Sequence, residues 1–171
     1  MGKSLIFICS YHNMNTHKIG KVIAKKINAS MIDINNTPND IQLDTYDLIG
    51  FGAGIGSFKH YSKMLNFAKK LPNVNNKKVF IFSTGGLTFS KSGMYSKKKM
   101  LNDHKALRDI LQDKGFIIID EFACVGHFYF IFKCIGFHKN RPNVEDIKNA
   151  EIFSEKLLKK CESYQKQEGI L

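Results

Sequence analysis

The chain has 171 residues and a net charge of +11, from 26 Lys and Arg against 15 Asp and Glu. Its length suits one domain over residues 1–171 and excludes a second catalytic domain. A hydrophobic fraction of 43% and a charged fraction of 24% exclude a disordered tail and a fibrous repeat. Since only Arg108 and Arg141 are arginines, the basic excess is lysine, whose point charges support nucleic-acid recognition poorly; we expect no nucleic-acid partner.

The chain opens with a predicted strand, loop and helix. Residues 5–9 form a short unbroken apolar run, typical of a strand buried on both faces. A polar stretch follows at residues 10–16. Apolar side chains then recur at helical spacing from Ile19 to Ile27, which predicts an amphipathic helix, and residues 31–34 supply a second strand.

The same unit repeats in the middle of the chain. Residues 46–51 predict a third strand, residues 52–56 a glycine-rich loop, and a helix should begin near Lys59 and end at Leu71 and Pro72. Residues 79–82 predict a fourth strand.

The final third of the chain predicts two more helices around a fifth strand. After residues 83–86 and a long polar segment, a helix that carries Leu107 should end at Gly115, a common residue just beyond a helix terminus. Residues 116–119 predict the fifth strand. The last helix should begin with Asn143 as its cap and end near Lys160.

Five strands that alternate with helices predict an α/β fold, a three-layer α/β/α doubly wound domain with a five-stranded parallel sheet. Ligands of such folds bind at the carboxyl ends of the strands, where the strand order reverses. We therefore examine the loops after the first, third and fourth strands for function.

The first of these loops lacks the usual nucleotide signatures. Gly2, Lys3 and Ser4 resemble the end of a phosphate loop, but no strand or glycine precedes them. Residues 10–16 contain no glycine, so a dinucleotide fingerprint is absent. Their hydroxyls and amides surround a helix N-terminus, which suits a monophosphate. The alternative is that these side chains only cap the helix.

Three segments together resemble the flavodoxin-like FMN-binding family. Residues 10–16, Ser-Tyr-His-Asn-Met-Asn-Thr, are similar to a phosphate loop of that family. Residues 46–55 resemble its third strand and second flavin loop, and residues 82–86 resemble its third flavin loop. The similarity continues through residues 104–115 and 136–143.

The resemblance implies the strand order 2-1-3-4-5, FMN as cofactor and a set of binding residues. The phosphate loop would comprise Ser10, His12, Asn13, Met14, Asn15 and Thr16. The isoalloxazine would be flanked by Ala53, Gly54, Ile55, Gly56, Ser83, Thr84, Gly85 and Gly86. Because the chain has no tryptophan, the candidates to stack on the flavin are Phe58, Tyr61, Phe89 and Tyr95.

The remaining features predict no catalytic residue and no metal site. The four cysteines form no CxxC pair, and the histidines show no metal-ligand spacing. Residues 86–99 could form a lid, a docking patch or a solvated loop, and the aromatic residues 128–132 could cover the flavin, form a dimer contact or pack in the core.

The resulting functional hypothesis is an electron carrier that uses FMN between redox partner proteins. The alternatives are an FMN-dependent oxidoreductase acting on NAD(P)H and a quinone or other small acceptor, and a regulator without cofactor. We expect a cytoplasmic monomer or homodimer with no membrane span. The +11 charge predicts acidic partners and a less negative reduction potential than an acidic carrier has.

Overall fold

The computed structural model describes residues 2–37, 41–86, 95–130 and 135–167. No helix within those ranges has the length and apolarity needed to cross a membrane. The strands and helices in chain order are β1 (Ser4–Cys9), α1 (Asn15–Ile27), β2 (Ala29–Asp33), β3 (Leu48–Gly56), β4 (Lys59–His60), α2 (Ser62–Lys70), β5 (Lys77–Gly85), α3 (Lys97–Asp113), β6 (Phe116–Val125), β7 (Phe128–Phe130), β8 (Ile135–Phe137) and α4 (Val144–Gln167).

The central sheet has five parallel strands in the order β2-β1-β3-β5-β6. Counted among the parallel strands alone this order is 2-1-3-4-5, so the predicted fold class and topology are confirmed. Two additions were not predicted: β4 pairs antiparallel with the end of β3, and β7 and β8 form a separate antiparallel pair.

Apolar side chains of the sheet point alternately to two cores, as the two-residue period of a strand requires. Phe7, Phe51 and Ile81 pack with α2 and α3 on one face. Ile6 and Phe80 pack with α1 and α4 on the other face. Both faces are therefore covered by helices, which confirms the three-layer arrangement.

Two strands extend further toward their carboxyl ends than the apolar runs predict. The segment 52–56, predicted as a glycine-rich loop, belongs to β3, and residues 83–85 belong to β5. The loop prediction was wrong because these glycines make room for neighbouring rings. A Cβ on Gly52 would lie 2.1 Å from Cζ of Phe82, its partner in the register.

Helix α2 begins at Ser62 rather than near Lys59, because Lys59 and His60 pair with the end of β3. The Tyr61 N–H also donates to the Gly54 carbonyl at 3.1 Å, which holds the chain in the hairpin. In the turn of this hairpin Ser57 and Phe58 have φ angles of 50° and 60°. The hairpin brings residues 57–61 back over the end of β3.

The predicted helix signals at Gly115 and Asn143 are confirmed. Gly115 has a φ of 86°, and its N–H donates to the Gln112 carbonyl at 2.9 Å. The Asn143 side chain accepts from the Asp146 N–H at 3.1 Å, and the Asp146 carboxylate accepts from the Asn143 N–H at 2.8 Å. Helix α4 continues past Lys160 to Gln167.

Candidate functional site

The carboxyl ends of β1, β3 and β5 lie side by side. Cys9 pairs with Ala53, and Gly54 pairs with Thr84. The segments that follow these strands therefore meet at one edge of the sheet, where two adjoining cavities share Ile55 and Gly86.

The first cavity is small, with a volume of about 20 Å³, and has a mostly polar lining. It lies at the N-terminus of α1, where the first turn leaves backbone N–H groups without partners inside the helix. Its lining residues are Ser10, Tyr11, His12, Asn15, Thr16, Ile55, Tyr61, Thr84, Gly86, Gly126 and His127.

Two hydroxyl groups form the buried floor of this polar cavity. The hydroxyl oxygens of Thr16 and Thr84 are 2.8 Å apart, and one donates to the other. This bond uses one of the two hydroxyl hydrogens, so the second remains available to a ligand. The arrangement can donate to an anion without a charged side chain.

The amide of Asn15 connects the cavity to the segment after β6. Its Nδ2 donates to the His127 carbonyl at 2.8 Å, and a Cβ on Gly126 would lie 2.8 Å from that nitrogen. The buried Oδ1 of Asn15 has no hydrogen-bond partner within the described residues. A buried polar atom without a partner is costly, so a ligand that donates a hydrogen bond to this oxygen would stabilise the site.

The loop before α1 is not arranged mainly for capping. The N-cap residue is Met14, in the left-handed region with a φ of 52°, and its side chain makes no capping bond. Among the side chains that the structure describes, the Ser10 hydroxyl alone serves the first turn, accepting from the His17 N–H at 3.3 Å. The other polar side chains of the loop are left for another role.

Aromatic side chains cover one wall of the polar cavity. The ring of Tyr61 lies 5.5 Å from that of Tyr11 and 6.1 Å from that of His12. It also lies against the backbone of Gly54, where a Cβ would come within 2.5 Å of the ring. The absence of a side chain at Gly54 thus allows Tyr61 to form this wall.

The second cavity is a wider cleft of about 430 Å³ between the β3–β4 turn and the end of β5. Phe58 and Tyr95 line it, and the Lys99 ammonium lies 5.3 Å from the centre of each ring. The lining residues are Ile55, Gly56, Ser57, Phe58, Gly85, Gly86, Tyr95 and Lys99.

The structure brings most of the predicted site residues to these two cavities. Those that line one or both are Ser10, His12, Asn15, Thr16, Ile55, Gly56, Phe58, Thr84, Gly85 and Gly86. Asn13 and Met14 are exposed at the rim, and the Asn13 amide lies 3.5 Å from the His127 carbonyl. Phe89 lies outside the described residues.

Two predicted residues direct their side chains away from the cavities. Ala53 packs in the core beside α2 and α3. The Ser83 hydroxyl is fully buried and lies 2.7 Å from Nε2 of His104 on α3. Any contact of these two residues with a ligand would have to involve the backbone.

A buried polar chain extends from Ser83 behind the site. Nδ1 of His104 lies 2.7 Å from Glu121 on β6, whose carboxylate also binds Arg108. The His60 ring lies 4.7 Å from that of His104, and both are fully buried. Burial lowers the pKa of both imidazoles, which are therefore neutral near pH 7.

Glu121 stays ionised within this chain. Burial opposes its ionisation, but the hydrogen bonds from His104 and Arg108 outweigh burial and hold the pKa of Glu121 below its usual range. An ionised Glu121 accepts from Nδ1–H of His104, so Nε2 accepts from the Ser83 hydroxyl.

Sequence reasoning missed the contributions of Gly126, His127 and Lys99. The first two follow β6, which lies beside β5, so the rule that carboxyl ends form the site could have included them. For Lys99 the signal is weaker: an Asp follows it by four residues on the same helix, which is the spacing of an ion pair. Within the described part of the chain, no group of three or more His, Cys, Asp or Glu residues is arranged to hold a metal ion.

Comparison with known proteins identifies the family. The model of the flavodoxin domain matches residues 12–116, more than half of the chain. The chain belongs to the flavodoxin domain family. The resemblance drawn from the three loop segments is confirmed.

Relatives of this flavodoxin domain extend over nearly its whole length. An uncharacterized protein of Methanocaldococcus jannaschii is 46% identical over 159 residues, covering 92% of this chain and 99% of its own. Flavodoxin 1 from Bacillus cereus, in its oxidised form, has a TM-score of 0.64 at 19% identity and covers 92% and 98% of the two chains. An NADH:FMN oxidoreductase in its apo form has a TM-score of 0.62 at 14% identity, with 94% and 89% covered. At these identities, the two solved structures support the shared fold alone.

Proposed function

We propose that this flavodoxin domain binds FMN and carries electrons between redox partner proteins. The observation that supports this most directly is the pair of adjoining cavities, one polar at a helix N-terminus and one wide and flanked by aromatic rings. FMN has the matching chemistry, with a phosphate at one end and a flat aromatic ring system at the other.

The polar cavity would hold the phosphate. The hydroxyls of Ser10, Thr16 and Thr84, with the N–H groups of the first turn of α1, are donors suited to a dianion, and the helix dipole adds to the attraction. Asn15 and His12 line the same space, while Asn13 and Met14 would act through their backbone at the rim.

The wider cleft would hold the isoalloxazine ring. Phe58 and Tyr95 are the aromatic side chains available to stack on it, and the small residues Gly56, Gly85 and Gly86 allow close approach of main-chain groups. Ala53, Gly54 and Ser83 would support this backbone from the sheet. When bound, FMN would supply reversible acceptance of one or two electrons, and the chain would determine its orientation and exposure.

The surface around the cavities favours a carrier over an enzyme that binds a small substrate. Tyr11, Met14 and Phe58 are 44%, 41% and 63% exposed at the rim. Exposed lysines stand beside them, with Lys63 reaching 5.3 Å from the Tyr11 ring and Lys59 following Phe58. An apolar centre with a basic border suits docking of an acidic redox protein.

Cofactor binding is tested first with the purified full chain. We expect a yellow protein, or an apoprotein that quenches the fluorescence of added FMN, and much weaker binding of riboflavin, which lacks the phosphate. A colourless protein that takes up no FMN would contradict the proposal. Equal affinity for FMN and riboflavin would contradict the role of the polar cavity.

Thr16→Val tests the hydroxyl floor. The valine removes a donor and leaves the Thr84 hydroxyl without its partner, so we expect FMN affinity to fall about tenfold, or about 1.4 kcal/mol. Thr45→Val is the matched control, because the Thr45 hydroxyl donates to the Gln42 carbonyl at 2.8 Å near the opposite end of β3. An equal loss of affinity in both variants would argue against a phosphate site at Thr16.

A second measurement separates the carrier from the oxidoreductase. Under anaerobic conditions, NADH or NADPH alone should leave the flavin oxidised, whereas addition of a separate flavoprotein reductase should bleach it. Rapid bleaching by the nucleotide alone would favour an FMN-dependent oxidoreductase.

A further inference from the structure

Lys99, in the first turn of α3, directs its ammonium group into the wide cleft. Its Nζ lies 5.3 Å from the ring centres of both Phe58 and Tyr95 and 2.7 Å from Oδ2 of Asp103. Asp103 is buried, and the Tyr95 hydroxyl donates to the same oxygen. Two rings and a buried carboxylate therefore fix the position of one lysine.

Helix stability does not account for this arrangement. A cation in the first turn opposes the helix dipole, and a Lys that precedes its acidic partner by four residues is the less favourable order of such pairs. The neighbouring Lys97 and Lys98 are exposed to solvent, whereas Lys99 is largely covered. The ion pair with the buried Asp103 holds the ammonium group in place, and this position leaves the positive charge at the cleft.

The Lys99–Asp103 pair presents its positive end to the cleft. Lys99 lines the cavity, whereas Asp103 is buried behind it and does not. Burial, followed by the Asp103 carboxylate, raises the pKa of Tyr95, which therefore stays neutral. The charge closest to a ligand between the two rings is thus positive.

We propose that Lys99 makes this site favour the reduced, negatively charged form of bound flavin over the oxidised form, with Asp103 as its positioning residue. The inference rests on the proposed FMN binding. Uptake of two electrons and one proton by the isoalloxazine ring adds one negative charge. An adjacent ammonium stabilises this anionic reduced ring more than it stabilises the neutral oxidised ring.

The test compares Lys99→Met with Lys98→Met in the full chain loaded with FMN. Dissociation constants for oxidised FMN come from fluorescence quenching, and midpoint potentials come from reduction by dithionite in equilibrium with a reference dye. For Lys99→Met we expect reduced FMN to bind at least tenfold more weakly relative to oxidised FMN. This change corresponds to a two-electron midpoint potential lower by about 30 mV. Lys98→Met should change the potential by less than a third of this amount.

Lys99→Arg tests whether charge is the cause. It keeps the cation, so its potential should stay close to that of the wild type. Asp103→Asn should lower the potential because the lysine loses its anchor, whereas removal of the Asp103 charge alone would raise it. An unchanged potential in Lys99→Met, or an equal shift in Lys99→Arg, would overturn the inference while leaving FMN binding intact. Failure of the wild-type chain to bind FMN would instead overturn the proposed function.

Discussion

His60 and His104 form a buried pair of imidazoles behind the site. Neither ring nitrogen of His60 makes a well-directed hydrogen bond within the described structure, although the Phe82 backbone offers a weak one. The groups that face the pair are Ser83, Asp103, Arg108 and Glu121. Protonation of either ring would place a charge in a fully buried position, which the fold disfavours.

This pair predicts that stability declines in mild acid. The folded-state pKa of each imidazole lies below its unfolded value of about 6.5. Below that pH the unfolded chain binds protons that the folded chain does not, so the free energy of unfolding is at its full value above that pH and decreases as the pH falls below it. Each group contributes up to about 1.4 kcal/mol per pH unit to the slope. Urea unfolding at a series of pH values between 8 and 5 measures this slope.

His60→Leu should flatten this pH dependence. The leucine removes one titrating group, so the slope of unfolding free energy below pH 6.5 should decrease by up to about 1.4 kcal/mol per pH unit. His17→Gln, on the partly exposed surface of α1, is the control for removal of an imidazole outside the buried pair. Identical slopes in wild type and His60→Leu would contradict a difference in the His60 pKa between the folded and unfolded states.

At the scale of elements, β3 needs glycines on the face that packs toward α1 and α4. The rings of Phe80 and Phe82 on β5 lie over Gly50 and Gly52, their register partners. These rings are fully buried and also stack with each other, their centres 6.0 Å apart. A side chain in the middle of β3 would displace them from the core.

Gly52→Ala should therefore destabilise the fold. Its Cβ would lie 2.1 Å from a ring atom of Phe82, and overpacking of this kind costs about 1 to 3 kcal/mol. Gly20→Ala on α1 is the comparison. Its Cβ would lie 3.1 Å from the Met31 sulfur and 3.3 Å from Ile8 and Phe82, so these neighbours need to shift by only a few tenths of an ångström, and alanine favours the helix. Thermal unfolding followed by circular dichroism should show a clear decrease in stability for Gly52→Ala alone. Similar decreases in both variants would contradict this account.

At the scale of the whole molecule, the position of each lysine matters as well as the net charge of +11. Lys63 stands at the start of α2 beside Tyr11, whereas Lys70 is the last residue of the same helix, at the end away from the cavities. A redox partner that docks at the rim would meet Lys63 and would not meet Lys70. Long-range attraction of this kind weakens as salt screens it.

Electron transfer to an acidic partner should therefore slow as salt rises. With the FMN-loaded, reduced chain and an oxidised ferredoxin of acidic surface, we expect stopped-flow rates to fall between 0.05 and 0.5 M NaCl, while transfer to uncharged benzoquinone stays constant. Lys63→Gln should lower the ferredoxin rate at low salt, and Lys70→Gln should have little effect. Equal effects of the two substitutions would point to net charge rather than a docking surface.

The sequence was sufficient to predict the architecture, and the three segments that it singled out meet at the two cavities. Short apolar runs and helical periodicity depend on local burial, so they predicted the five parallel strands and the helices around them. Ends of elements were less predictable. Residues 52–56 resemble a turn, and only the rings of the neighbouring strand reveal that their glycines continue β3.

Composition predicted a basic chain, the alternation of strand and helix patterns predicted an α/β fold, and the family resemblance added which ligand its loops should bind. The tertiary structure decided which side chains meet there: Lys99 with Phe58 and Tyr95, Asn15 with the His127 backbone, and Ser83 with His104 rather than the cavity. These contacts join residues from different strands and helices. Their geometry depends on strand order and register, which no local pattern of residues encodes.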